Sequence, residues 1–132
     1  MHGALPLKPM EALGRRTWAI AEGYIPKESN GPGPEFTSHE TACILNTGDR
    51  AAHIEIQVYF KDREPAGPYR LEVQARRTLH LRFNDLQDPE RIPPGTDYSS
   101  VITSDVPVIV QHTRLDSRQA ANALMTTIAF AV

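Results

Sequence analysis

His53-Ile54-Glu55-Ile56-Gln57-Val58-Tyr59-Phe60-Lys61 is the stretch that decides the fold. Ile54, Ile56, Val58 and Phe60 fall on one side of an extended chain; His53, Glu55, Gln57 and Lys61 fall on the other. Successive side chains of a strand point to opposite faces, so this period of two means one buried and one wet face. The pattern recurs with Leu71 and Val73 set against Arg70, Glu72 and Gln74. It recurs again with Leu79, Leu81 and Phe83 set against His80, Arg82 and Asn84. Each reads as a half-buried strand of an antiparallel sheet.

Around these lie runs that are apolar on both faces and so belong centrally: Thr17 to Ala21, Thr41 to Leu45 and Val106 to Val110. Pro107 restricts the last of them, because proline is tolerated only at the start or edge of a strand. Thr126 to Val132 places Ile128, Phe130 and Val132 on one side. Turn chemistry separates the runs. Asn46-Thr47-Gly48-Asp49 reads as one hairpin turn, Glu64-Pro65-Ala66-Gly67-Pro68 as the next, and Pro93-Pro94-Gly95 and Ser104-Asp105 as two further breaks. Pro26 to Pro34, with three prolines and two glycines, can be neither helix nor inner strand and reads as an exposed loop. Seven or eight short strands so punctuated predict an all-β, single-domain antiparallel β-sandwich, jelly-roll-like, over residues 15–132, preceded by an N-terminal extension, 1–14. Ser117 to Met125 is open to two readings: a short helical turn capped by Asp116 or Ser117 and favoured by its alanines, or an extended loop.

The chain has 132 residues, enough for one core and too few for two. Its single cysteine, Cys43, rules out an internal disulfide and points to a reducing cytoplasm. Fourteen basic and sixteen acidic side chains give a net charge of −2, which argues against a general polyanion binder. No run approaches the roughly 20 apolar residues of a membrane-spanning helix. Met1 to Leu13, broken by Pro6, Lys8, Pro9 and Glu11, does not read as a signal peptide. A soluble protein with no direct membrane insertion is expected.

Few residue groups point to chemistry. His53-x-Glu55 has metal-ligand spacing but lies on the polar side of an ordinary amphipathic strand, so no metal is expected. His39-Glu40 opens one strand and His112-x-Arg114-x-Asp116 closes another. Brought to one rim, they would gather with Glu22, Asn84 and Asp85, and with Arg118 nearby. Catalysis would need a base aligned on a nucleophile, and no nucleophile stands in a recognisable setting: Cys43 lies inside an apolar strand. These residues are therefore expected to be ion pairs and hydrogen bonds fixing strand ends, an interface, or a ligand or partner site, with no catalytic residues. Arg76-Arg77 is a small basic patch with no interleaved aromatic platform for nucleic acid.

Several long words resemble the sensory rhodopsin transducer family. They are Trp18-Ala19-Ile20-Ala21-Glu22-Gly23-Tyr24-Ile25-Pro26, Ser38-His39-Glu40-Thr41, Cys43-Ile44-Leu45-Asn46, Glu64-Pro65, Gly67-Pro68-Tyr69-Arg70-Leu71, Ala75-Arg76-Arg77-Thr78, Arg82-Phe83-Asn84-Asp85-Leu86 and Val110 through Ala120. The resemblance runs from residue 15 to about 131 and implies a cytoplasmic β-sandwich that assembles as a planar homotetramer. The implied role is to dock on the cytoplasmic side of a seven-helix retinal photoreceptor and relay its signal. DNA association and a likeness to carbohydrate-binding sandwiches come with it; no cofactor and no catalytic residue do.

Overall fold

A computed structural model of the chain describes residues 11–132. Residues 1–10 of the expected extension lie outside the described residues. Eight strands follow in order: β1 (Arg15–Tyr24), β2 (His39–Asn46), β3 (Ala52–Phe60), β4 (Ala66–Val73), β5 (Arg77–Arg82), β6 (Asp97–Asp116), β7 (Ala123–Ile128) and β8 (Phe130–Ala131). A 3-10 turn, Phe83–Asp85, follows β5. All pairings are antiparallel.

The 20-residue β6 organises the molecule. Its first half lies between β1 and β3, with Ile102 opposite both Trp18 and Ile56. Its second half lies between β2 and β7, with His112 opposite Ala42 and Thr127. One half-sheet therefore reads β4-β3-β6-β1-β8 and the other β5-β2-β6-β7. Their inward residues form one buried cluster: Ile54, Ile56, Val58 and Ile102 from the first, Ala42, Ile44, Val108 and Val110 from the second. Burying each of these isoleucine or valine side chains contributes about 1.5–3 kcal/mol. The alternation of residues 53–61 is borne out along β3, buried at Ala52, Ile54, Ile56 and Val58 and exposed at His53 and Glu55.

Four local expectations are corrected. Ser104-Asp105 is no break, because β6 runs through it. Pro107 lies inside β6, between the last pair with β3, at Ser104, and the first with β2, at Ile109. There β6 passes from β3 to β2 and its register with β1 is irregular, between Thr103 and Val108, so the proline, which has no N–H to donate, sits where the ladder is already interrupted. Asn46 to Asp49 closes no hairpin: β2 pairs with β5 and β6, and β3 with β4 and β6, so the segment crosses between half-sheets. The buried Asn46 pins that crossing, its Nδ2 donating to Arg50 O at 2.8 Å and Val73 O at 3.1 Å while its Oδ1 accepts from Gly48 N at 3.0 Å. Finally, there is no helical turn at 117–125. Residues 117–122 are a loop and 123–128 are β7, paired with Gln111–Asp116 of β6. Alanine's helix preference amounts to only tenths of a kcal/mol per residue, and so short a helix is marginal in water; the open edge of β6 offers a full ladder instead.

Candidate functional site

Strand order brings the end of β1, the start of β2 and the end of β6 to one end of the molecule, where loops 25–38 and 117–122 also leave the sheets. Glu40 is paired with Arg114 in register, and strand alternation turns its side chain inward, where it is fully buried. A buried carboxylate is tolerated only if its oxygens are met by donors. Here both are. Oε1 accepts from the Tyr24 backbone N–H at 2.6 Å and from Arg114 Nε at 2.9 Å and Nη2 at 2.6 Å. Oε2 lies 2.6 Å from Nε2 of the buried His112. Arg114 Nη2 also donates to Glu22 Oε1 at 2.6 Å, carrying the network to the surface. Asn84 Oδ1 accepts from Glu40 N at 3.2 Å, and Asn84 Nδ2 donates to Ser38 O at 3.0 Å.

The electrostatics follow from this packing. Burial works against the charged form of Arg114, but hydrogen bonds to Glu40 and Glu22 outweigh it and hold the guanidinium above its usual pKa. Burial, reinforced by the Glu40 carboxylate, pushes the Tyr98 phenol far above its ordinary range, so it stays neutral. Its ring packs against Phe83, centroids 5.6 Å apart. A Cβ on Gly23 would stand 2.5 Å from that Tyr98 ring, so glycine is the residue that lets β1 pass close to it.

Above the cluster, a pair of buried serines fastens the two loops together. The Ser38 and Ser117 hydroxyls are 3.0 Å apart. Ser38 Oγ donates to Glu28 O at 2.8 Å and accepts from Ser117 N at 3.0 Å, while Ser117 Oγ donates to Phe36 O. Asn30 Nδ2 donates to Arg118 O at 2.6 Å. Arg118 in turn grips Asp116, Nη2 to Oδ2 at 2.6 Å, and lies over the Tyr24 ring at 5.6 Å. The hydrogen bond from Arg118 holds the Asp116 carboxyl below the usual carboxylate range. The Pro/Gly-rich loop is thus exposed along residues 27–37 yet tied at its base.

The structure therefore gathers Glu22, Glu40, Asn84, His112 and Arg114, with Asp116 and Arg118 alongside. His39 points the other way along β2 and meets Thr37 O at 2.6 Å. Asp85 is exposed on the 3-10 turn. Arg76 and Arg77 are exposed at the opposite end of β2, where Asn46 pairs with Arg77. His53 and Glu55 take separate partners: His53 Nδ1 is 2.8 Å from Asp105 Oδ2, and Glu55 accepts from Arg70 Nε at 3.1 Å. Sequence reasoning missed Ser38 and Ser117, which no local pattern marks, because only the meeting of two distant loops buries them. Chemically the cluster holds a geometry; both Glu40 oxygens are occupied, and the thiol of the half-buried Cys43 lies 4.0 Å from Thr113 Oγ1. Among the described residues no three His, Cys, Asp or Glu side chains gather to hold a metal ion, and no helix is long and apolar enough to cross a membrane.

Comparison with known proteins agrees with this architecture. Residues 13–131 match the family model described as "Anabaena sensory rhodopsin transducer". A solved structure of that description is 63% identical, covers 79% of this chain and 100% of its own, and superposes with a TM-score of 0.72. A Thermotoga maritima protein, titled 1070, is 39% identical over 90% of this chain and 96% of its own, with a TM-score of 0.79. No curated protein matches the chain. With nearly its whole length matched, the chain belongs to the Anabaena sensory rhodopsin transducer family.

Proposed function

We propose that this chain is a non-enzymatic signalling adaptor of the cytoplasm, working as a homotetramer that docks on the cytoplasmic side of a seven-helix retinal photoreceptor and relays its state. The observation that carries the reading is the family match over residues 13–131 together with 63% identity to a protein named as a sensory rhodopsin transducer. The geometry supports it. Recognition commonly sits on loops held by a stiff scaffold, and the Glu40 cluster with the Ser38–Ser117 latch holds loops 25–38 and 117–122 at their bases. Loops already ordered lose less entropy on binding. The contact residues we assign are Glu22 and Arg118, side chains 63% and 48% exposed, with His39, Asp85 and Asp116 at the same end. Glu40, Asn84, His112 and Arg114 act as positioning residues.

The test is titration of the purified chain into a retinal photoreceptor held in nanodiscs. Saturable binding is expected, weakened about tenfold, or about 1.4 kcal/mol, by Arg118→Glu and unchanged by Arg77→Glu at the far end. Absence of binding at tens of micromolar contradicts the reading.

A further inference from the structure

Asn30-Gly31 is the one place in the chain where glycine follows asparagine; Asn46, Asn84 and Asn122 are followed by Thr47, Asp85 and Ala123. A backbone nitrogen can attack the side-chain amide of the asparagine before it. A side chain on the attacking residue hinders that ring closure, and glycine leaves the path open. Both residues are exposed in the Pro/Gly-rich loop, within reach of water. The shape of the loop keeps the pair in place: Gly31 has φ +98°, and a Cβ there would stand 3.0 Å from Phe36 Cβ. Asn30 also belongs to the tie between the two loops. Its Nδ2 donates to Arg118 O at 2.6 Å and its backbone N to Ser117 Oγ at 3.4 Å, beside the Ser38–Ser117 latch.

We propose that Asn30 is a self-modification site, converted to aspartate or isoaspartate without an enzyme, at a rate set by the latch. Gly31 N attacks Asn30 Cγ and closes a cyclic imide, while the bond from Cγ to Nδ2 breaks. Nδ2 leaves as ammonia, taking the proton that Gly31 N gives up. Water then opens the ring. Attack at Cγ gives aspartate; attack at the main-chain carbonyl gives isoaspartate, whose backbone runs through Cγ and is longer by a carbon. Either product carries a carboxylate at residue 30, and no oxidant or cofactor is consumed. Ring closure turns the amide toward Gly31 N and so breaks its bond to Arg118 O; conversion therefore proceeds from the locally opened tie. The product then undoes the tie for good, because a carboxylate has no hydrogen to donate and sets oxygen against the Arg118 carbonyl. It also adds a negative charge to the end that carries Asp116 and Arg118. The conversion stands apart from the partner and assembly proposed above, and makes the stiffness of the two loops a property that the chain loses with age.

Peptide mapping by mass spectrometry, on the unaltered chain and Ser117→Ala incubated in mildly alkaline buffer, tests it. Asn122, equally exposed but followed by Ala123, is the internal control. Acid is expected to accumulate at Asn30 ahead of Asn122, and about fivefold faster in Ser117→Ala, the effect of losing one ordinary hydrogen bond from the latch. No preference for Asn30 overturns the site, and equal rates in the two chains overturn its control by the latch. Should Ser117→Ala fail to fold, the unaltered chain in buffer and in urea makes the same comparison: slower conversion in buffer supports the control, and equal rates overturn it. The consequence is read on Asn30→Asp, which carries the product's charge. Trypsin is expected to cut it after Lys27 or Arg118, both exposed in the tied loops, about fivefold faster than the unaltered chain; equal cutting overturns the role of Asn30 in the tie.

Discussion

At the scale of single residues, the molecule turns on one buried carboxylate. Glu40 joins β1, β2, β6 and the 3-10 turn through the Tyr24 N–H, Arg114, His112 and Asn84. Removing one member of a buried ion pair leaves the other desolvated and uncompensated, at a cost of about 3–5 kcal/mol. Glu40→Ala is therefore expected to lower the urea midpoint sharply, while His39→Ala, next in sequence but facing outward, stays within about 0.5 kcal/mol. Gly23→Ala drives a methyl into the Tyr98 ring and is expected to cost about 1–3 kcal/mol in the same assay. The polar continuation of β6 at His112 and Arg114 was legible in the sequence, as was Glu40 as a companion at the rim. That Glu40 faces inward and His39 outward was not, because both flank the point where loop becomes strand.

At the scale of elements, β6 carries both half-sheets, so damage to its middle reaches the whole core. Ile102→Ala, at a fully buried position between Trp18 and Ile56, is expected to cost about 2–5 kcal/mol. Near the point where β6 changes partners it is tied to β3 by Asp105, which accepts from His53 N at 2.7 Å and meets its ring at 2.8 Å. The hydrogen bond to Asp105 raises His53 above its ordinary 6.5. Bonds from His53, the backbone N–H first, lower Asp105 below 3.8. The histidine's contribution is present below 6.5 and lost as pH rises through its raised value; the aspartate's is present above 3.8 and lost as pH falls. Thermal melts should show a larger loss from His53→Ala near about pH 5.5 than near about pH 9; an equal loss at both would remove the pair from the account. Strands with one wet face were legible from their period of two. The second half of β7, Thr126–Ile128, was legible in the run to Val132, but its first half was not, since Ala-Leu-Met carries no alternation and only the open edge of β6 makes it extended.

For the molecule as a whole, the family was legible in long words of sequence, and the all-β class in the spacing of strands and turns. What joins the halves was not, because the turn signal at Ser104-Asp105 masks a strand that continues. A chain whose rigid body presents two tied loops suits recognition of another macromolecule, and repetition of that surface in an assembly multiplies weak contacts into avidity. Relay imposes a stricter condition than docking. A partner can report a receptor's state only if it binds the two states with different free energies. The decisive measurement is therefore the dissociation constant for a nanodisc-held retinal photoreceptor in darkness and under sustained illumination. A difference of about five- to tenfold, or about 1–1.4 kcal/mol, is expected; equal affinity in light and dark would contradict signal relay outright.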